Sequence, residues 1–315
     1  MRRVALIYNP ASGQYSARRK AAVQQVLDVL QSAGIEAEAF VTETPGSATT
    51  HAQQAVRDGY DAILACGGDG TVHEVLQSLV GTNVALGVIP LGTANALASD
   101  LGLNGDPGKA ARTLLSASPT RIPVGRIHFQ NGRGPDARYF LVAAGVGADA
   151  LLMSRLDPGL KRRFGYILYM IEAFRIWATD PLPLFEAAFS TNGHGPDHSA
   201  EVSQLLAVRV RSFGGALREL APGATLRSST LHLLAFGTRS RYLYLRFLLA
   251  VLAGRHTFAN KIQLVETATV DCLPRNGSKD TLYVEADGEV LGHLPAKMET
   301  IPDALTLLVP QGAQP

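Results

Sequence analysis

The sequence predicts an α/β domain built on a parallel sheet, followed by a β-rich domain with two inserted helices. Three observations carry this. In the first third, short apolar runs alternate with segments of helical period, and the helices end at glycine. Near residue 122 the pattern changes to short strand-like runs separated by clusters of Gly, Asn, Pro and Asp. Between the third strand and the third helix lies the glycine turn Gly67-Gly68-Asp69-Gly70.

The elements follow in order. Residues 4–8 read as a strand stopped by Asn9-Pro10, and 17–33 as a helix ending at Gly34. Residues 35–42 are a strand, and 48–58 a helix ending at Gly59. Residues 62–66 are an unbroken apolar strand, and 72–80 a helix with apolar positions Val72, Val75, Leu76 and Leu79. Residues 85–90, 94–101 and 109–116 add a strand and two helices. Beyond 122, strands are expected at 122–129, 139–144, 185–190, 205–210, 231–236, 262–273, 281–286 and 305–309. Helices are expected at 162–178 and 241–252. The domains are expected at residues 1–122, completed by 300–315, and at 123–299.

Composition narrows the class of protein. The chain has 315 residues, 46% of them hydrophobic and 18% charged, which places it among globular chains. A net charge of +2 is too mild for a nucleic-acid binder, and none is expected as a partner. It permits attraction to an anionic membrane surface. No apolar stretch reaches the ~18 residues that span a bilayer, and the basic N-terminus leads into too short a run for a signal sequence. Cys66 and Cys272 lie in apolar strands and read as buried thiols of a reducing, cytoplasmic setting.

Strand, glycine turn, helix is the geometry that aims backbone N–H groups at an anion. Glycine lets the main chain approach closely, and the helix start adds its positive dipole end. One carboxylate, Asp69, sits inside this turn. A phosphate site excludes a bare carboxylate unless a metal is shared, so Asp69 points to Mg²⁺ beside a nucleotide. Asn9-Pro10-Ala11-Ser12-Gly13 and Leu91-Gly92-Thr93-Ala94-Asn95 are further polar loops at carboxyl ends of strands, where such sheets bind ligands. Each alone could be a cap or a tight turn; three together are harder to explain that way.

Other motifs point less far. No G-x-x-x-x-G-K-[ST] is present, which argues against a P-loop ATPase. Gly145-Val146-Gly147-Ala148-Asp149-Ala150 has dinucleotide-fingerprint spacing but falls in the β-rich part, and reads as a glycine-rich bend. His194 and His198 lie in a polar loop without a cysteine partner, and read as ordinary surface residues. Asp287-Gly288-Glu289 suits a hairpin tip, Asp-Gly being a common hairpin pair, or a general base beside a nucleotide.

Together these motifs resemble the catalytic domain of diacylglycerol and sphingosine kinases. The residues are Asn9-Pro10-x-Ser12-Gly13, Gly67-Gly68-Asp69-Gly70-Thr71-x-x-Glu74-Val75 and Pro90-Leu91-Gly92-Thr93-x-Asn95. Order and spacing are similar to the bacterial soluble lipid kinase branch. Lys161–Tyr166, Gly254-Arg255-His256 and Asp287-Gly288-Glu289 extend the resemblance over nearly the whole chain. It implies an α/β nucleotide domain and a β-sandwich domain with the active site in the cleft between them. It implies transfer of the ATP γ-phosphate to a lipid hydroxyl. Asn9, Ser12, Gly13, Thr42, Gly67, Gly68, Asp69, Gly70, Thr71, Val72, His73, Thr93 and Asn95 would bind the nucleotide. Asp69 would stand beside the catalytic Mg²⁺, and Asp287 and Glu289 would supply the base.

Two positions depart from the family. The structural Mg²⁺ site of the bacterial branch uses aspartates after an Ala-Pro-x-Ala run. Here Ala221-Pro222-Gly223-Ala224 is followed by Arg227-Ser228-Ser229. Arginine cannot ligate Mg²⁺, so this site is expected to be absent. Arg209–Phe213 stands where an asparagine is common before Gly-Gly.

A lipid acceptor brings the enzyme to a membrane surface. Residues 160–177 and 239–255 mix arginines with aromatics, as interfacial helices do, and equally suit helices packed on the sandwich. A lipid kinase at the membrane surface is the leading expectation. An NAD-kinase-like enzyme with a soluble substrate, or a non-catalytic nucleotide- or lipid-binding regulator, stands behind it. The sequence leaves the lipid and the oligomeric state open, a homodimer included.

Overall fold

The computed structural model describes residues 1–10, 16–103, 105–155, 175–176, 178–190, 198–213, 219–255, 261–277 and 280–313. The expected helix over 162–178, the Lys161–Tyr166 motif, His194 and His256 lie wholly or largely outside these residues. The chain divides into two compact units, Met1–Val124 with Pro302–Pro315, and Gly125–Ile301.

The first unit alternates β1 (Arg3–Tyr8), α1 (Ser16–Ser32), β2 (Glu36–Val41), α2 (Ser47–Arg57), β3 (Ala62–Gly67), α3 (Asp69–Leu79) and β4 (Ala85–Pro90). Two further helices, α4 (Ala96–Asp100) and α5 (Pro107–Leu115), complete the helical set. Helix ends are shaped by glycine in left-handed backbone, at Gly34, Gly59 and Gly102. Helix α5 begins at Asp106, whose side chain accepts the Lys109 N–H, with Pro107 in the first turn. Strands β3 and β4 are buried at every position, as parallel strands covered on both faces require. β2 alternates exposed and half-buried positions over most of its length, as an edge strand does.

The strands run parallel in the order β2-β1-β3-β4. Beyond β4 lies the end of the last strand, β15 (Glu289–Val309), with Thr306 opposite Ala85 and Leu307 opposite Leu86. From β1 the chain moves to β2 on one side, then to β3 on the other. Right-handed crossovers therefore put α1 and α2 on opposite faces. Accordingly α1 packs with α5, and α2 with α3. The direction reverses between β1 and β3, which opens a crevice at their carboxyl ends.

The second unit contains β5 (Ser118–Asn131, beginning in the first unit), β6 (Gly134–Phe140), β7 (Ala143–Gly147), α6 (Ala148–Arg155), β8 (Phe185–Phe189), β9 (His198–Val202) and β10 (Gln204–Val208). After these come β11 (Leu231–Phe236), α7 (Arg241–Leu252), β12 (Ile262–Thr267), β13 (Thr269–Pro274) and β14 (Tyr283–Ala286). One run pairs β12-β11-β10-β7-β14 with the start of β15. Farther along, β15 pairs with β13, which continues to β8 and β9, and β5 pairs with β15 and β6. Between the runs lies one apolar core, including Phe140, Val146, Phe185, Leu205, Leu233 and Met298.

Three local expectations change. Residues 262–273 form two strands, because the buried Thr267 hydroxyl shares its one proton between the Ser190 and Thr269 carbonyls and turns the chain at Ala268. Residues 139–144 break at Leu141–Val142, where the Asp287 carboxylate takes the main-chain N–H groups. The Gly145–Ala150 motif is a central strand running directly into α6, not a bend. Gly147 has φ 111°, and a Cβ there would lie 2.5 Å from the Ser203 carbonyl oxygen, so packing against β10 accounts for it.

Candidate functional site

The first unit gathers its polar loops at the β1/β3 crevice. Leu91 N–H donates to the Gly67 carbonyl at 2.9 Å, which joins the turns after β4 and β3. A Cβ on Gly92 would lie 2.5 Å from Gly68 Cα and 2.7 Å from Asn95 Oδ1. A Cβ on Gly67 would overlap the Thr71 hydroxyl at 2.3 Å. The glycines are there because two backbones meet where side chains do not fit.

Asn95 holds the second turn. Its Oδ1 accepts the Gly92 N–H at 2.9 Å and its Nδ2 donates to the Gly92 carbonyl at 2.8 Å, with Asn95 itself at φ 49°. Asp69 Oδ1 accepts the Ala96 N–H at 2.8 Å, at the start of α4. Helix α3 has Gly68 as its N-cap and no side-chain cap, so its leading N–H groups and dipole face the turn. Glu74 binds in the other direction. Its Oε2 accepts the Ala48 N–H at 3.1 Å, tying α3 to the start of α2.

Arg19 was not singled out by the sequence. It is nearly buried, and its guanidinium donates to the Asn9 carbonyl at 3.0 Å and the Leu91 carbonyl at 2.7 Å. It thus joins the turns after β1 and β4, and burial holds its pKa below the ordinary value. One sequence cannot tell which cation of Arg18-Arg19-Lys20 turns inward.

The other expected nucleotide residues divide by burial. Thr93 is exposed and Asn9 half-buried. Thr42 follows β2 directly and donates its N–H to the Tyr8 carbonyl, while its buried hydroxyl has no hydrogen-bond partner among the described residues. Such a group calls for a ligand or water. Thr71, Val72 and His73 belong to the buried face of α3. Ser12 and Gly13 lie outside the described residues.

The second unit holds the expected base residues on the β14–β15 hairpin. Ala286 pairs with Glu289 across Asp287 (φ 49°) and Gly288 (φ 83°). Two successive positive φ values make the twisted two-residue turn that suits Asp-Gly. Asp287 is more than a turn residue. Its Oδ2 accepts the Leu141 N–H at 3.0 Å, and its Oδ1 accepts those of Val142 and Ala143 at 2.8 and 3.1 Å. This carboxylate is what breaks β6 from β7.

Behind it, Arg209 is 1% exposed, the largest fully buried side chain described. Its guanidinium donates to the Leu226 carbonyl at 3.2 Å. Burial lowers its pKa to about 10, against the opposing pull of the Asp287 charge. Glu285 is buried and accepts the Gly288 N–H at 2.9 Å. Glu289, by contrast, is exposed. Where the family's structural metal would lie, the Ser228 hydroxyl bonds the Thr230 hydroxyl at 2.9 Å and Arg227 is exposed.

A parallel sheet with a glycine-lined crevice, followed in sequence by a β-rich unit, has the form of a nucleotide-binding enzyme. Residues 3–127 match the diacylglycerol kinase catalytic domain, and residues 141–309 match the YegS C-terminal NAD kinase beta sandwich-like domain. The chain belongs to the family that joins these two domains, the second of which covers more than half of its length. It is 27% identical to a diacylglycerol kinase of Bacillus subtilis over 99% of this chain and 97% of that one. It is 29% identical to a diacylglycerol kinase of Mycobacterium tuberculosis, covering 98% and 96%. The fold matches a diacylglycerol kinase structure from Bacillus anthracis with TM-score 0.70, 18% identity, and 99% and 98% coverage. It also matches yeast NADH kinase with TM-score 0.55 at 9% identity, covering 99% and 84%.

Proposed function

We propose that this protein transfers the γ-phosphoryl group of ATP to the hydroxyl of a lipid of the diacylglycerol or sphingoid type, with Mg²⁺. The observation that carries the reading is the apposition of Gly68 and Gly92 with the Asp69 carboxylate between their helices. Phosphoryl transfer depends mainly on positioning and charge neutralisation, and this turn offers backbone N–H groups and one carboxylate together.

The residues fit the metal–nucleotide pair. Mg²⁺ prefers one or two carboxylates together with phosphate oxygens and water. Asp69 Oδ1 accepts the Ala96 N–H, which fixes the carboxylate at the turn. When bound, Mg²⁺ neutralises charge on the transferring phosphoryl group. The buried Thr42 hydroxyl, Thr93, Asn9 and the Gly67–Gly70 backbone would hold the nucleotide, with Arg19 keeping the loops in place.

On the acceptor side the two carboxylates have different work. An ionised carboxylate has about four lone-pair positions, and Asp287 uses three on main-chain N–H groups. We assign it to holding the hairpin. Glu289 is the exposed carboxylate and takes the proton of the attacking hydroxyl, leaving an alkoxide-like oxygen to bond phosphorus as the bond to the ADP oxygen breaks. General-base help of this kind contributes about 10²–10⁴-fold.

Radiolabelled ATP with a panel of lipids in mixed micelles tests the reading. Transfer to one lipid class supports it. Transfer to NAD, or to no acceptor with ATP bound, points instead to a dinucleotide kinase or a regulator.

A further inference from the structure

Helix α7 carries half of the exposed large apolar side chains among the described residues. Its inner side is well packed. Phe247 and Val251 are buried, Tyr244 stacks on Phe236 with ring centroids 4.6 Å apart, and Phe247 meets the same ring edge-on at 5.2 Å. The Tyr244 hydroxyl bonds Ser203 at 2.9 Å. These contacts fix which side faces out.

On the outer side Tyr242 is 69% exposed, Leu245 40%, Leu249 56% and Leu252 47%. The spacing i, i+3, i+7, i+10 makes one stripe along the helix. Lone exposed leucines are ordinary on a protein surface, whereas a contiguous stripe marks a binding surface. Exposed arginines flank it: Arg239 and Arg241 at its start, Arg246 beside it, and Arg255 just past its end. Arg241 is partly committed, since it donates to the Asp180 carbonyl at 3.1 Å. No acidic residue occurs between Gly237 and Gln263.

A protein partner for this stripe would need only apolar complementarity. Three exposed arginines beside an apolar stripe, in a segment without an acidic residue, select a surface that is apolar inside and negative outside, which is an anionic lipid leaflet. We propose that α7 docks this protein on an anionic membrane, with Tyr242, Leu245, Leu249 and Leu252 among the acyl chain tops and Arg239, Arg246 and Arg255 on the headgroups. This rests on the reading that the acceptor is a lipid, and names the surface that brings the enzyme to it.

The test is co-sedimentation of the full chain with vesicles of phosphatidylcholine alone or mixed with phosphatidylglycerol. Binding is expected to the mixed vesicles only, to fall with added salt, and to drop ten-fold or more for Leu245→Glu/Leu249→Glu. Arg246→Glu alone is expected to weaken binding while leaving the apolar stripe whole. Phosphotransfer to a water-soluble short-chain diacylglycerol is expected to be unchanged in both variants, which separates docking from catalysis. Binding that ignores both variants and the phosphatidylglycerol overturns the proposal. So does a dimer in sedimentation equilibrium that the double variant dissociates, because the stripe then serves a second copy. Vesicle binding through α7 with no transfer to any acceptor overturns the kinase reading and leaves the docking surface standing.

Discussion

Asp69 Oδ1 accepts the backbone N–H of Ala96 at 2.8 Å, so the carboxylate in the turn after β3 also caps the helix after β4. One side chain therefore fixes the distance between two glycine turns and places a negative charge where they meet. Structural and chemical roles can be separated by substitution.

Asp69→Asn keeps an oxygen for the Ala96 N–H and loses the charge. Its unfolding midpoint should stay near that of the wild type, while kcat falls by about 10²–10³-fold, as when a key charge-stabilising group is lost. Asp69→Ala should lose a further ~1 kcal/mol of stability with the cap. Urea unfolding alongside kinase assays checks both; an active Asn variant would remove Asp69 from the metal role.

Gly92→Ala tests the close approach. The added methyl meets Gly68 backbone at 2.5 Å, which a rotamer change cannot relieve. Overpacking of this kind costs about 1–3 kcal/mol. The loss should be accompanied by weaker ATP binding, measured by calorimetry. Unchanged ATP affinity would mean that the spacing of the turns is not what receives the phosphates.

The hairpin carboxylates should separate cleanly. Glu289→Gln is expected to lower kcat by about 10²–10⁴-fold with little effect on stability, because the side chain is exposed. Asp287→Ala strands three N–H groups and removes the anion facing Arg209. It should cost about 2–4 kcal/mol. If Glu289→Gln is fully active, the assignment of the base fails.

Most of the first unit is legible in the sequence because its signals are local. Apolar runs of strand length, helical periods and glycine stops identify β1 to β4 and their helices within a residue or two, except that α3 begins at Asp69, three residues before the expected Val72. The turns at Gly67–Gly70 and Gly92–Asn95 are visible for the same reason. What joins them is not local. Arg19 reaches Leu91 from α1, and Asp287 reaches Leu141–Ala143 across much of the second unit. Strand β9 escapes notice because its His-Ser-Ala-Glu-Val run lacks a clear apolar alternation. The break at Ala268 depends on a hydroxyl bond to Ser190, which no window around residue 268 contains.

Acid should act on the second unit through Glu299. Burial alone would raise its pKa, but hydrogen bonds from His128 and Arg126 outweigh that and hold it below the ordinary value of 4.5. A carboxylate lowered on folding contributes stability that is full above the unfolded pKa and is lost as pH falls through the folded one. Wild type should therefore exceed Glu299→Gln in stability at neutral pH, with the gap closing below about pH 4.5. A gap that does not vary with pH would contradict this.

Both thiols should be silent in the native protein. Cys66 and Cys272 are fully buried, and burial pushes both thiols far above the usual range, with Asp271 adding to the effect on Cys272. Neither should react with Ellman's reagent at pH 8 until denaturant is added. Rapid labelling of the native chain would contradict the packing of β3 or β13.

The most direct test of the central claim is phosphate transfer from γ-labelled ATP to a lipid panel with Mg²⁺, run on wild type, Asp69→Asn and Glu289→Gln. Wild type is expected to give labelled product from one lipid class, and each variant to lose at least about 100-fold while remaining folded. Transfer undiminished in the two variants, or wild-type transfer to NAD and to no lipid, would contradict it.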